Sequence, residues 1–343
     1  MRPRRRPTAL LLGATVGVVV AIVAVLAFTT AVDVSPAAPV QPAALAGPLP
    51  SPSGFFVDPG TPAARQQQQW AADGRTDDAR RIGEIAAQPV PDWLTQPTGQ
   101  VGAEVTRYVG LARAAKQRPL FVPYFVPGRD CSSYSAGGAK DAADYRRWIR
   151  EVAGALNGAA ATVVLEPDAV PHEISGCGRV EGRAELLTDA VSVLKAAGPV
   201  TVYLDAGNPG FVTDTGALAD ALKRSGVAQA DGFALNVANF YPTPEVVTYG
   251  RAVSAAVGGK PFVVDTSRNG NGRPDGNTVN GAPSFCNPPG RALGEVPTTT
   301  TGEASVDAYL WIKRVGESDG ACRPGEPEAG QWWADYALAL VPK

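Results

Sequence analysis

Seven short runs of β-branched and aromatic residues punctuate this chain, and helix-patterned stretches lie between many of them. In order they are Ile82–Pro89, Leu120–Val126, Thr162–Leu165, Val200–Leu204, Gly232–Val237, Pro261–Val264 and Ala308–Ile312. The intervening segment Asp141–Leu156 sets Tyr145, Trp148, Ile149, Val152 and Leu156 on one face at helical spacing. Gly182–Gly198 reads as a second helix. Such βα alternation indicates parallel strands joined by helical crossovers, which narrows the fold to a barrel or an open doubly wound sheet. No GxGxxG follows the first strand, so a dinucleotide-binding sheet has no support.

The polar residues discriminate further. Acids and amides follow the runs in GRD (128–130), EPD (166–168), LDAGN (204–208), NVAN (236–239), DTSRNGNG (265–272) and KRVGESDG (313–320). The C-terminal ends of parallel barrel strands converge on one mouth, where such folds keep their chemistry. Each acid alone could equally cap the helix that follows it. Six polar clusters at strand ends are too many for capping alone. Hydrolysis of a glycosidic bond needs one protonated carboxyl and a second carboxylate across the bond. Asp168 sits just past the apolar run that ends at Leu165, beside Glu166. Asp130 would raise its pKa if their strands are neighbours. An all-oxygen magnesium or calcium site is the competing use of these acids, but no EF-hand pattern is present.

Composition limits the partners. The chain has 343 residues, and outside Arg2, Arg4, Arg5 and Arg6 it carries 27 basic against 33 acidic residues. A mildly acidic body without a basic stripe argues against nucleic acid. One histidine, His172, and four scattered cysteines lack the spacing of a zinc cage. After the arginines, Pro7 to Val32 is uncharged and rich in Ala, Val and Leu. Residues 1–32 therefore read as a cleaved signal peptide or as a signal anchor tethering the chain to the outer face of the cytoplasmic membrane. Residues 33–53 form a Pro/Ala-rich linker, and residues 54–343 form the globular domain. Outside the cytoplasm, Cys131, Cys177, Cys286 and Cys322 are expected to form two disulfides, with three pairings open.

Several blocks together resemble glycoside hydrolase family 6, the inverting β-1,4-glucanases and cellobiohydrolases. They are PYFVPGRDCSSYSAGGA (123–139), VVLEPDAVPH (163–172), LNVANFY (235–241), DTSRNGNG (265–272), CNPPGRALG (286–294) and DAYLWIKRVGESDG (307–320). FFVDP (55–59) and IAAQPVPDWL (85–94) resemble its opening blocks, so the likeness covers essentially the whole globular part. The resemblance implies an α/β fold, a distorted (β/α) barrel of about seven parallel strands that is TIM-barrel-like. It implies Asp168 as general acid, Asp130 as the group raising its pKa, and Asp319 as candidate base. It further implies Asp205 as another carboxylate of the cleft, with Trp93, Asn239, Lys313 and Glu317 contacting glucose units. The disulfides implied are Cys131–Cys177 and Cys286–Cys322. No metal or cofactor is called for. The substrate implied is a β-1,4-glucan polysaccharide or cello-oligosaccharide, and the enzyme is expected to be a monomer.

Two departures from the family pattern concern substrate contacts. Phe285 stands where the family usually has Trp, and Asn208 and Phe211 stand where it usually has His and a nearby aromatic. Phe285 still stacks on a sugar face, with less area. His172 reads as a packing residue behind the strand, Trp148 and Trp311 as core, and Trp332 and Trp333 as part of a C-terminal helix packing on the barrel. Trp93 is the better stacking platform. Short loops favour an open cleft and endo action. The alternatives are a chain-end cellobiohydrolase and a catalytically weakened, envelope-tethered glucan-binding protein.

Overall fold

The computed structural model describes residues 53–177 and 182–342. The expected signal or anchor (1–32) and linker lie outside the described residues, apart from Ser53. No helix among the described residues is long and apolar enough to cross a membrane.

Helix α1 (Pro62–Ala72) starts with Pro62 in its first turn, and Thr61 Oγ1 accepts the Ala64 N–H at 3.2 Å. The run expected as the first strand, Ile82–Pro89, instead falls largely in α2 (Thr76–Ala86). Ala79, Ile82 and Ile85 are buried at spacings of three, a helical period, while Asp77 and Asp78 sit favourably in the first turn. The first strand, β1, is Asp92–Leu94. Then come α3 (Val101–Ala114), β2 (Leu120–Pro123), a 3₁₀ turn at Asp130–Ser132, α4 (Ala142–Leu156) and β3 (Ala161–Leu165). Helices α5 (Ala169–Ser175) and α6 (Arg183–Ala196) lead to β4 (Val200–Asp205), α7 (Thr215–Arg224), β5 (Gly232–Leu235), α8 (Thr243–Ala256) and β6 (Phe262–Asp265). A small hairpin, β7 (Thr278–Val279) and β8 (Ala282–Pro283), precedes β9 (Val306–Leu310) and α9 (Ala334–Leu340).

The main sheet has seven strands in the order β1-β2-β3-β4-β5-β6-β9, all parallel. It is the distorted (β/α) barrel expected. Period-2 alternation sorts the strand side chains into two cores. Leu120, Val122, Val164, Tyr203, Ala234, Val263, Ala308 and Leu310 form one cluster within the sheet's curl. Phe121, Val163, Leu165, Val202, Leu204, Phe233, Leu235, Phe262 and Val264 pack outward against the helices. Burial on both faces is why these strands are continuously apolar in sequence. On α4, Asp141 caps the Asp144 N–H at 2.7 Å, and Tyr145, Trp148, Ile149, Val152 and Leu156 are all buried, as the spacing predicts. Trp148 stacks on Phe125 at 4.9 Å and donates from Nε1 to the Gln96 carbonyl at 2.7 Å. A third cluster joins Trp70, Ile82, Ile85 and Trp311 to Tyr336 and Leu340, with Trp332 and Trp333 against it. All four tryptophans assigned to packing are therefore structural.

Candidate active site

The strand ends form the floor of one cleft of about 940 Å³. Trp93, Asp130, Asp168, Asn208, Phe211, Asn239, Phe285, Lys313, Glu317 and Asp319 all line it. Ten residues chosen from separate segments thus share one surface. Asp205 does not: it is buried beneath Asp168. Its Oδ2 accepts the Asp168 N–H at 2.8 Å and the Gly207 N–H at 3.2 Å, while its Oδ1 has no partner. Burial, and then the charge of Asp168, hold Asp205 well above the usual carboxylate range.

The backbone around the mouth is unusual. Ten non-glycine residues among those described have positive φ, and seven of them lie here: Asp130, Cys131, Glu166, Asp168, Asn236, Ala238 and Asn287. Such conformations cost about 1–3 kcal/mol each and persist where neighbours over-determine them. Two buried carboxylates supply that restraint. Glu166 accepts the Phe125 and Val126 N–H groups at 2.9 and 3.0 Å, tying the loop after β2 to the end of β3. Asp265 accepts four N–H groups, from Ala238, Ser267, Ile312 and Lys313, at 2.9–3.2 Å. It binds the ends of β5, β6 and β9 together. Asp168 makes no side-chain cap to α5, and α4 is capped by Asp141 and not by Asp130, so these acids are not spent on capping those helices.

Two carboxyls of the cleft sit in opposite electrostatic surroundings. Burial, followed by the charge of Asp130, pushes the half-buried Asp168 carboxyl up to about 7. Asp130 is itself raised by burial, offset by the Ser135 N–H that its Oδ2 accepts at 2.6 Å and by Arg129. In the same cleft, Asp319 accepts Arg268 Nη1 at 2.8 Å, Lys313 Nζ at 3.3 Å and the Asn287 N–H at 3.0 Å. Its burial is outweighed by Arg268 and Lys313, and its pKa lies below the ordinary value. Arg268 is fully buried, with a second bond to the Ala238 carbonyl and its guanidinium over the Phe240 ring. One carboxyl is poised to carry a proton and the other to remain ionised.

The remaining contacts refine the reading. Trp93 meets Tyr124 edge-on at 5.3 Å. Asn208 uses Oδ1 on the Gly210 and Phe211 N–H groups, which leaves its NH₂ for the cleft. A Cβ at Gly210 would come within 1.7 Å of the Tyr241 hydroxyl, so any other residue there requires that ring to move. His172 lies in the cleft lining, edge-on to Phe211 at 5.5 Å, and not behind the strand. Burial and Arg183 lower it to about 4, so it is neutral near pH 7. The pairs Cys131–Cys177 and Cys286–Cys322 are both formed. Sequence reasoning missed Arg268 and Asp265, although both lie in the polar strand-end block 265–272, and Asn287 of the block 286–294. It also missed Tyr124, Tyr134, Tyr241 and Arg273 of the lining, whose residue types do not announce themselves.

With this geometry in place, comparison with known proteins is decisive. The profile of the family described as "Glycosyl hydrolases family 6" matches residues 51–343. The chain belongs to glycosyl hydrolase family 6. Among relatives of this family-6 chain, endoglucanase A of Cellulomonas fimi is 41% identical over 292 residues, covering 84% of the chain and 61% of that protein. Endoglucanase 1 of Streptomyces halstedii is 39% identical over 311 residues, covering 88% and 92%. The chain thus spans less than two thirds of the first relative and nearly all of the second. The structure of endoglucanase Cel6 of Mycobacterium tuberculosis, in complex with methyl-cellobiosyl-4-deoxy-4-thio-β-D-cellobioside, superposes with a TM-score of 0.78 at 41% identity. That likeness covers 86% of this chain and 98% of the other.

Proposed function

We propose that this family-6 chain hydrolyses β-1,4-glucosidic bonds in cellulose or related β-glucans, endo-wise and with inversion. The observation that carries the reading is the opposed pair Asp168 and Asp319. Two carboxyls in one cleft have environments that push their pKa values apart, the signature of an acid with an ionised partner. Endo action is favoured by the endoglucanase relatives.

In this mechanism Asp168 donates its proton to the departing glycosidic oxygen. A water attacks the anomeric carbon from the opposite face, oriented by Asp319. Because Arg268 and Lys313 depress its proton affinity, Asp319 passes the water's proton on to solvent instead of keeping it. Asp130 sustains the raised pKa of Asp168, and Asp205 braces the Asp168 backbone by accepting its N–H. Trp93, Phe211 and Phe285 offer apolar faces for sugar rings. Asn208, Asn239, Lys313 and Glu317 offer polar groups to hydroxyls. The domain is taken to act as a monomer outside the cytoplasm, exported by residues 1–32, in keeping with its two disulfides.

The test is reducing-sugar release and viscosity on carboxymethylcellulose, with Asp168→Asn as control. A steep viscosity drop per bond cleaved is expected. Accumulating cellobiose with little loss of viscosity would instead identify a chain-end cellobiohydrolase. Binding without cleavage at any pH from about 4 to 8 would identify a glucan-binding protein.

A further inference from the structure

Strands β1 and β9 stand at opposite edges of the sheet, and among the described residues no backbone ladder joins them. Side chains bridge the gap. Trp93 Nε1 donates to the Ile312 carbonyl at 2.9 Å, and Arg314 Nε to the Pro91 carbonyl at 2.9 Å. Arg314 Nη2 donates to Asp92 Oδ1 at 2.7 Å, and Arg314 Nη1 reaches Glu317 Oε1 at 3.4 Å. Trp93, Arg314 and Glu317 line the cleft. Asp92 does not, being only 6% exposed, and its Oδ2 has no hydrogen-bond partner. Glu104 on α3, paired with Arg107, lies beside it.

We propose that Asp92 is a positioning residue for the end of the cleft at Trp93, acting through Arg314 on Glu317. A guanidinium has five N–H donors in a fixed fork. Three are committed here, to Pro91, Asp92 and Glu317, and two remain for a sugar hydroxyl. With Asp92 Oδ1 accepting Nη2 at its side, Arg314 is fixed before substrate arrives, and Glu317 is held as an acceptor next to the Trp93 ring. Ordering this group in advance removes a cost from binding. Without Asp92, the arginine keeps one weaker ion pair and swings between the seam and the cleft. The reacting carboxyls Asp168 and Asp319 are not contacted by Asp92, so its effect falls on substrate affinity and not on the chemical step. The inference rests on the reading of this cleft as a glucan site.

The experiment compares Asp92→Asn, Arg314→Met and the double variant on cellotetraose and cellopentaose. Kinetics are paired with calorimetric binding of cellotetraose in an Asp168→Asn background, and thermal unfolding confirms that each variant folds. Asp92→Asn should raise KM and Kd about fivefold while kcat stays within about twofold, the pattern of lost uniform binding. The double variant should be no worse than Arg314→Met alone, because both changes remove one unit. A fall in kcat at unchanged KM and Kd, or effects that add, would overturn the assignment. If the unsubstituted chain binds cellotetraose but cleaves no glucan, the hydrolase reading fails and the Kd comparison still decides this one. If it binds no cellotetraose, both fail.

Discussion

Replacing Asp130 by Asn should move one limb of the pH profile and leave the other in place. The substitution keeps an oxygen to accept the Ser135 N–H and removes only the charge. Asp168 rises from an ordinary 3.8 to about 7, with burial as the larger cause and Asp130 as the second. The share due to Asp130 is therefore below half of that rise. We take a fall to about 6 in the variant, a change of about 1.4 kcal/mol between the protonation states. The general acid must be protonated to work, so its pKa governs the limb on which activity falls as pH increases. At pH 7 the protonated fraction drops from about one half to about one tenth, an expected fivefold loss of kcat. At pH 5 nearly all of Asp168 is protonated in both forms, and the loss is close to none. The assay is kcat on cellopentaose at half-unit pH steps, with Asp130→Ala run beside it. An alkaline limb that stays put, or moves upward, would refute the idea that Asp130 sustains the acid.

Asp168→Ala should lose far less activity on an aryl glycoside with a good leaving group than on cellulose, since only the latter needs its oxygen protonated; equal losses would remove Asp168 from that role. Asp319→Asn strands the buried Arg268 and the mostly buried Lys313, at a cost of about 3–5 kcal/mol and a fall in Tm of about 6–15 °C by calorimetry. Its pKa is depressed, so this stabilisation is present above the ordinary carboxylate pKa and fades as pH falls through the lowered one. Proton NMR of the first product should show the α-anomer from a β-linked substrate; a β-anomer first would mean retention. Reduction should lower stability by roughly 3–4 kcal/mol per disulfide in the chain-entropy model, and peptide mapping should return 131–177 and 286–322.

Six strands were legible because burial on both faces leaves unbroken apolar runs, which period and flanking residues disclose. The first was misplaced. Ile82 and Ile85 are β-branched, yet their spacing of three buries them on one side of α2. The true β1 is only three residues long, Asp92 to Leu94, and begins with an acid. The cleft acids could be collected from strand ends, but not sorted by depth. Asp205 and Asp168 both follow apolar runs, and only the 2.8 Å bond between them shows that one lies under the other. Arg268 meets Asp319 across 51 positions. No local pattern encodes such a pairing, since it arises from the parallel pairing of β6 with β9, strands far apart in sequence. His172 shows the converse: its neutrality follows from burial, which a residue type cannot reveal.

The unclosed seam between β1 and β9 also bears on how this protein avoids sticking to its own kind. An open sheet presents rows of unpaired N–H and carbonyl groups that a strand from another molecule can extend. Here β9 is blocked by Thr298, whose N–H and carbonyl exchange bonds with those of Tyr309. β1 is protected by brevity, by Pro91 with no N–H to offer, and by Arg314, which binds the Pro91 carbonyl and pairs with Asp92. Replacing that ion pair by apolar residues of similar size is a standard route to higher thermal stability. In this protein the same exchange would strip the charges from a sheet edge, and the more heat-resistant variant would be the one to aggregate at high concentration.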